Sequence, residues 1–362
     1  MLGKIKYRLV LFLKRKIDRH LSKKQEKYLR KYQKQTEFNT WYWQIVTKEK
    51  HFPLPLGKRL KIYRHGFKAD DYHLYHFEKN DMNQYMSERD RWKTRNVNGE
   101  YNLLLDDKMV FFNLFSNKLN IPRNICLLTH RKFVPMEDAF KSMKEVLEHY
   151  PKLVIKPVCS GGGAGVHVVE KRQNEYYINL EKSDLKQIDE ISQNGEFIVT
   201  PFVEQHRYAK EIFPNSTNTI RVIMIRDHYG KVEIPYALHR FGSNQSGCVD
   251  NVCSGGYFGL IDVKTGKIGE MTSYGTTDFY TKHPDTKKQI TGVQIPRWNK
   301  IKKTLTEVME KMPYLKFVAW DIVVTDDDFV VIEANTSTGI GIIQVFEPLK
   351  GTTLGKFYEK NW

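Results

Sequence analysis

Phe317 to Asn335 reads FVAWDIVVTDDDFVVIEAN, two apolar, β-branched runs separated by Asp326-Asp327-Asp328. Aspartates favour turns and the flanking Val and Ile favour strands, so the stretch predicts a β-hairpin. With the three aspartates as its loop, Thr325 pairs with Phe329, and Asp321 stands directly opposite Glu333. Cross-strand partners share a face, as do residues two apart on one strand, so Asp321, Glu333 and Asn335 project together. The other face carries Trp320, Ile322, Val324, Val330, Ile332 and Ala334, an apolar surface fit for a core. Two carboxylates facing each other across a ladder repel, at a cost on the order of a few tenths of a kcal/mol or more. A cation between them removes that cost. Such oxygen ligands suit Mg²⁺, which takes one or two carboxylates together with substrate phosphates. The plainer alternative is a hairpin whose acidic face is simply solvated.

The chain has 362 residues, which suggests two or three structural units. No apolar run approaches the ~20 residues that span a bilayer. Leu9 to Leu13 is short and ends at Lys14-Arg15-Lys16, without the small-residue cleavage site of a secretory signal. Cys126, Cys159, Cys248 and Cys253 show neither Cys-x-x-Cys nor zinc spacing, as expected of reduced thiols in the cytoplasm.

The net charge of +16 is concentrated at the start. Within residues 1–35, thirteen lysines and arginines from Lys4 to Lys34 face only Asp18 and Glu26. Ile5, Leu9, Phe12, Leu13 and Ile17 recur near helical spacing, which gives a basic amphipathic helix. Two readings stand. The helix packs on the protein with its charges solvated, or it lies on an anionic membrane, at the inner face of which the protein would then sit. No nucleic-acid module accompanies the charge, so nucleic acid is not expected as a partner.

Farther along, Asp106 to Leu119 and Met136 to His149 have helical patterns, and Trp298 to Met312 forms another amphipathic helix. Between them, strands are expected at Leu153–Pro157, Val166–Glu170, Phe197–Phe202, Ile220–Arg226, Val232–His239 and Tyr257–Val263. The order is α+β with mostly antiparallel strands, and a subdomain change near Pro201–Gln205.

A glycine-rich segment, Lys156-Pro157-Val158-Cys159-Ser160-Gly161-Gly162-Gly163-Ala164-Gly165-Val166, lies between two of those strands. Such a run brings backbone N–H groups close to an anion. It lacks the Gly-Lys-Ser/Thr of a Walker A loop, and Val166-His167-Val168-Val169 is too β-prone for a dinucleotide fingerprint. A strand–loop–strand cover over phosphates, as in kinases, fits better, yet no His-Arg-Asp or Asp-Phe-Gly follows. The alternative is a flexible surface turn. Lys156, in an apolar strand just before the loop, can reach a phosphate as a point charge.

Taken in order, Lys108 in DDKMVFF, Lys156 in VIKPVCSGGGAGV, the segment FIVTPFVEQH and Asp321 with Glu333-Ala334-Asn335 resemble the ATP-grasp superfamily over roughly residues 100–345. NTIRV from Asn218, LHRFG around Arg240 and VDNVCSGGYFGLID are most similar to its sugar-transfer-associated, teichuronopeptide-type branch, linked to bacterial surface polysaccharide assembly. The resemblance implies two α+β subdomains enclosing ATP between antiparallel sheets. Residues 1–50 would be a basic helical region and 51–150 a pre-grasp-like region. Residues 151–205 would form the small subdomain and 206–362 the large one.

It also implies site residues. Lys108 and Lys156 would meet the α- and β-phosphates, with Ser160, Gly161, Gly162 and Gly163 closing over them. Pro201, Phe202, Val203, Glu204 and His206 would form the adenine and ribose hinge, although Pro201 has no N–H to donate. Asp321, Glu333 and Asn335 would hold Mg²⁺. Arg221 and Arg240, together with Lys156, would serve catalysis at the transferred phosphate or acceptor carboxylate. Asn218, Asn251, Gly255 and Gly256 would line the substrate side, with a plain β-turn the alternative for the glycines. The reaction implied is ATP-dependent joining of a carboxylate, on a uronic-acid-containing glycan or precursor, to an amine. Phosphoryl transfer without amide formation, and a non-catalytic nucleotide-binding scaffold at the membrane, are the alternatives.

Overall fold

The computed structural model describes residues 51–52, 54–136, 139–159 and 165–361, together with Lys16, Lys23 and Lys27. Apart from those three lysines, the basic helix expected over 1–50 lies outside the described residues. So does the loop Ser160, Gly161, Gly162 and Gly163. The chain divides into two compact units, Met1–Tyr72 and His73–Trp362.

In the first unit, helix α1 (Leu56–Arg64) ends on Lys61 and Arg64, which complement the negative end of its dipole. The Asp70 carboxylate accepts from the backbone N–H of His51 at 3.0 Å and of Phe52 at 3.1 Å.

The second unit contains two antiparallel sheets. The first has seven strands in the order β2-β1-β7-β3-β4-β5-β6: β1 (Cys126–Thr129), β2 (Lys132–Pro135), β3 (Lys152–Pro157), β4 (His167–Arg172), β5 (Glu175–Ile178), β6 (Glu181–Ser183) and β7 (Glu196–Pro201). The second has six in the order β11-β10-β9-β8-β12-β13: β8 (Ile220–Arg226), β9 (Val232–Phe241), β10 (Tyr257–Ile261), β11 (Ile268–Thr272), β12 (Phe317–Val324) and β13 (Phe329–Asn335). Cys126 pairs with Val199, so β1 and β2 belong to the same sheet as β3 and β7.

Seven helices longer than one turn are described in this unit: α2 (Glu88–Trp92), α3 (Lys108–Phe115), α4 (Met143–His149), α5 (Leu185–Glu190), α6 (Arg207–Ile212), α7 (Trp298–Glu310) and α8 (Thr353–Lys360). The helix expected from Asp106 starts two residues later, because Asp107 is extended and its Oδ1 caps the N–H groups of Met109 and Val110. That expected from Met136 starts at Met143, with Ser142 as its cap, and Lys132–Pro135 before it is a strand.

Strand alternation decides which side of each sheet is wet. Leu153, Ile155, Val169 and Val199 point into a core with Val146 and Leu147 of α4 and Ile188 of α5. In the second sheet, Val222, Met224, Val318, Trp320, Ile322 and Val324 form one face, against Phe111 and Phe115 of α3 and Ile301 and Leu305 of α7. Phe115 meets Trp320 edge-on at 5.6 Å between centroids. Each such fully buried side chain contributes about 1.5–3 kcal/mol. The opposite face carries Ile223, Ile225, Leu238, Phe317 and Ala319 against Leu354 and Phe357 of α8. That cluster stops short of Arg221 and Asp321, and the charged side chains begin there.

The hairpin forms with one correction. Near the loop, Val324 pairs with Phe329, not Thr325, and the Thr325 N–H closes the turn on the Asp328 carbonyl at 2.8 Å. Farther along, Ile322 pairs with Val331 but Asp321 with Glu333, so Ile332 is an extra, bulged residue. The bulge restores the expected Asp321–Glu333 pair. It also reverses the faces between bulge and loop: Phe329 and Val331, rather than Val330 and Ile332, join the Trp320 core.

Candidate active site

An open cleft is lined by both sheets of the second unit. From the first come Val154, Lys156, Val168 and Thr200, the residues that alternate with its core positions, and Pro201 at the end of β7. From the second come Thr219, Arg240, Ile332 and Glu333, and from the β9–β10 connection Cys248, Val249, Asp250 and Asn251. One part is apolar, with Val154, Val166, Val168, Val203 and Ile332. The other is charged. An apolar slot leading to a few convergent polar groups is the usual form of a small-molecule site.

The bulge shapes the charged part. It places the Ile332 side chain on the cleft, and the Ile332 carbonyl accepts from Lys156 Nζ at 3.1 Å. Lys156 therefore reaches across from β3 to the hairpin. Burial, reinforced by nearby Lys108 and opposed by Glu333, pulls its ammonium down to about 8. Lys108 is the first residue of α3, and its backbone N–H meets the Val158 carbonyl at 3.1 Å, tying the helix start to the end of β3. Its Nζ lies 3.9 Å from Glu333 Oε2.

Asp321 is fully buried. Its Oδ1 accepts from Arg221 Nε at 2.8 Å and its Oδ2 from Arg221 Nη2 at 2.7 Å, a two-pronged pair across the β8–β12 ladder. Arg240 Nη2, from β9, stands 3.1 Å from the same Oδ2. Burial alone would raise the Asp321 carboxyl, but Arg221 and Arg240 hold it well below the usual range. Glu333 moves the other way, pushed up by burial and by the Asp321 charge. Asn335 Nδ2 lies between the two carboxylates, 3.4 Å from Asp321 Oδ2 and 3.5 Å from Glu333 Oε1. Arg240 Nε donates to Thr219 Oγ1 at 2.9 Å and lies 3.5 Å from Asp250 Oδ2, which also accepts the Thr219 N–H at 2.8 Å. Beyond the hairpin, Thr338 Oγ1 accepts from Arg221 Nη1 at 3.2 Å, and Thr336 donates to Asp106 at 3.0 Å.

Lysines from a strand and a helix, paired acids and forked arginines thus meet beside an apolar slot bounded by two antiparallel sheets. A family model described as sugar-transfer associated ATP-grasp matches residues 87–352. The chain belongs to this ATP-grasp family. Among curated proteins, the D-alanine–D-alanine ligase of Petrotoga mobilis (strain DSM 10674 / SJ95) is 32% identical over 114 residues, covering 27% of this chain and 33% of that protein. The chain therefore matches about a third of that relative's length. Among solved structures, biotin carboxylase from Campylobacter jejuni is similar at 12% identity and a TM-score of 0.43, covering 71% of this chain and 46% of the other. D-alanine–D-alanine ligase from Bacillus anthracis has 14% identity and a TM-score of 0.35, covering 71% and 62%.

Within this ATP-grasp chain, the structure brings Lys108, Lys156, Arg221, Arg240, Asp321, Glu333 and Asn335 together, and places Pro201, Val203 and Asn251 on the cleft wall. Other residues expected at the site are used elsewhere. Phe202 lies under the Lys152 ammonium, 3.8 Å from the ring centre, and Glu204 is exposed, 3.6 Å from Lys210. His206 caps α6 through the Tyr208 N–H at 3.1 Å, and its own N–H meets the Val324 carbonyl at 2.7 Å. Asn218 is buried. Its amide donates to Gln205, Ala209 and Phe213 and accepts from Ser216 and Gly242, which leaves it nothing to offer a substrate. Gly255 has a φ of +98°, and a Cβ there would stand 2.6 Å from the Gln245 side chain. A Cβ on Gly256 would meet the Asn251 carbonyl oxygen at 2.9 Å, so both glycines serve the folding of their own loop. Sequence reading missed Thr219, Asp250 and the Ile332 carbonyl. Asp250 carried a faint signal as the one acid between Gly242 and Gly256, and the bulge carried none.

Proposed function

We propose that this chain is an ATP-dependent ligase that joins a carboxylate to an amine during assembly of a bacterial surface polysaccharide. The carboxylate belongs to a uronic-acid-containing glycan or its precursor. What supports this reading most is the convergence of two lysines, two arginines and Glu333 at the end of an apolar slot, in a family described by association with sugar transfer.

In this reading the base lies in the slot of Val154, Val168, Val203 and Ile332, and the phosphates extend toward Lys156 and Lys108. Lys156 exchanges the Ile332 carbonyl for a phosphate oxygen. Glu333 and Asn335 fit a divalent cation, because they offer oxygens where Asp321 and burial already disfavour the Glu333 charge. Bound there, Mg²⁺ would neutralise charge on the transferring phosphoryl group. Arg221 and Arg240 hold that group and the acceptor carboxylate through fixed forks. The acceptor oxygen attacks the γ-phosphorus and ADP departs. The amine nitrogen then attacks the acyl carbon, and inorganic phosphate leaves.

No helix among the described residues is long and apolar enough to cross a membrane. Residues 1–35 would place the enzyme on an anionic membrane surface, and vesicle flotation with and without them tests that. The reaction itself is tested by ADP release with D-glucuronate or D-galacturonate, each with and without a panel of amino acids. ADP release that needs both components is the expected result. A stable phosphorylated product formed without any amine would overturn the ligase in favour of a phosphotransferase.

A further inference from the structure

A second concavity lies at the other end of the six-stranded sheet. Arg221, beside the cleft, and Arg226 are five residues apart on β8, so roughly 17 Å of strand separates the two places. No residue lines both. This pocket is walled by the β8–β9 turn, by Lys316 just ahead of β12 and by one side of α8. Thr353, Lys356, Phe357 and Lys360 share that side, because their helical spacing is three, four and seven residues. Ile225 and Phe357 are its buried apolar lining, and Lys316, Lys356 and Lys360 stand exposed around it.

The charges around the pocket are unevenly matched. Asp227 Oδ1 accepts the backbone N–H groups of Tyr229 and Lys231, each at 2.9 Å, and Glu233 pairs with Lys231 at 2.6 Å. Both acids are thus engaged within their own hairpin. Arg226 builds the wall: its Nη1 donates to the Gly230 carbonyl at 2.8 Å and its Nε to the Leu315 carbonyl at 3.3 Å. The three lysines are not engaged in this way. Among the described residues, no carboxylate pairs with any of their ammonium groups, and Lys360 Nζ donates to His228 Nδ1 at 3.3 Å. An ammonium is a compact point charge with three donors and lacks the planar fork of arginine. Several of them around one pocket suit the oxygens of a phosphate group.

We propose that this pocket is a second anion site, which takes the phosphate group of a ligand other than the nucleotide. Lys356 and Lys360, one turn apart on α8, and Lys316 from beside β12 donate to the phosphate oxygens, with the Thr353 hydroxyl as a further donor. Phe357 and Pro313 offer apolar surface to the body that carries the phosphate. A soluble sugar phosphate and a lipid headgroup present the same group, and the probes below separate them. The site is remote from the cleft and needs nothing from the nucleotide reading.

The test reads His228, because an anion that draws Lys360 away changes the surroundings of the imidazole. The probes are inorganic phosphate, glucose 1-phosphate and vesicles of phosphatidylglycerol, each added to the full chain. The two soluble probes are followed by proton–carbon NMR of the His228 ring, assigned with His228→Gln, against sodium chloride of equal ionic strength. Vesicle binding is followed by sedimentation, with phosphatidylcholine vesicles as background. The double variant Lys316→Gln, Lys356→Gln changes exposed side chains and leaves the Lys360–His228 contact in place as the reporter. It should melt with the parent protein. A saturable His228 shift with a soluble probe, weakened at least about tenfold in the double variant, is the expected result. Vesicle sedimentation that falls in the double variant, with no shift from either soluble probe, supports the site and assigns the phosphate to a lipid headgroup. No lysine-dependent response to any of the three probes, or a shift that chloride reproduces, would overturn the inference.

Discussion

Lys156 Nζ donates to the carbonyl oxygen of Ile332 at 3.1 Å, across 176 positions of sequence and from one sheet to the other. The bond exists because Ile332 is the extra residue of a β-bulge, so its carbonyl is not committed to the ladder. It holds the lysine in place next to the carboxylate of Glu333.

Lys156→Met keeps much of the side-chain volume and removes the charge. Loss of one charge-assisted bond, about 1.5–3 kcal/mol, should weaken ADP roughly 10- to 100-fold. Isothermal titration checks this, with thermal melting as the control for folding. Unchanged affinity would mean that Lys156 serves only the hairpin.

Asn218→Ala should act on stability. Removing an amide that satisfies five buried partners is expected to cost about 2–3 kcal/mol in urea unfolding. ADP affinity, measured at a temperature where the variant is folded, should stay near that of the parent. A variant with parental stability and lost activity would instead support a substrate role.

Those two residues illustrate how far the sequence could be read. Lys156 alternates with Leu153 and Ile155 in an apolar strand, so its exposure to a cleft follows from period two. The Asp321–Glu333 pairing follows from the same rule, although through a register that the bulge shifts by one residue between the pair and the loop. Asn218, three positions before Arg221 in NTIR, looks equally suited to a ligand. Its true partners, Gln205, Phe213 and Gly242, become neighbours only after β8 and β9 pair and α6 packs beneath them. Helix starts were misplaced for a local reason: Asp107 and Ser142 act as caps, Leu103–Asp106 before the first is a separate helical turn, and Lys132–Pro135 before the second is a strand. Tertiary partners of buried amides and the position of a bulge have no pattern in a single sequence.

His239 provides an acid-sensitive element. It is fully buried, its Nδ1–H donates to the Arg240 carbonyl at 3.1 Å, and its Nε2 accepts from Tyr208 at 2.8 Å. Burial pulls its titration from 6.5 down to about 3. The unfolded chain therefore takes up the proton first. The stability of the neutral form is complete above pH 6.5 and is lost as pH falls toward 3, at up to about 1.4 kcal/mol per pH unit. Urea midpoints of the parent should fall more steeply between pH 7 and 5 than those of His239→Asn, narrowing the gap between them. Parallel slopes would contradict a neutral buried histidine.

Glu333→Gln should leave metal-free stability unchanged or slightly higher, because a neutral amide ends the repulsion with Asp321 and the apolar face of the hairpin is untouched. Melting in EDTA checks this. A large loss of stability would mean that Glu333 is needed by the fold itself.

Titration of the parent protein with ADP, in Mg²⁺ and then in EDTA, tests most directly whether the cleft between the two sheets is a nucleotide site. The expected result is saturable binding of one ADP per chain that Mg²⁺ strengthens at least about tenfold. No binding, or binding indifferent to Mg²⁺, would contradict the account.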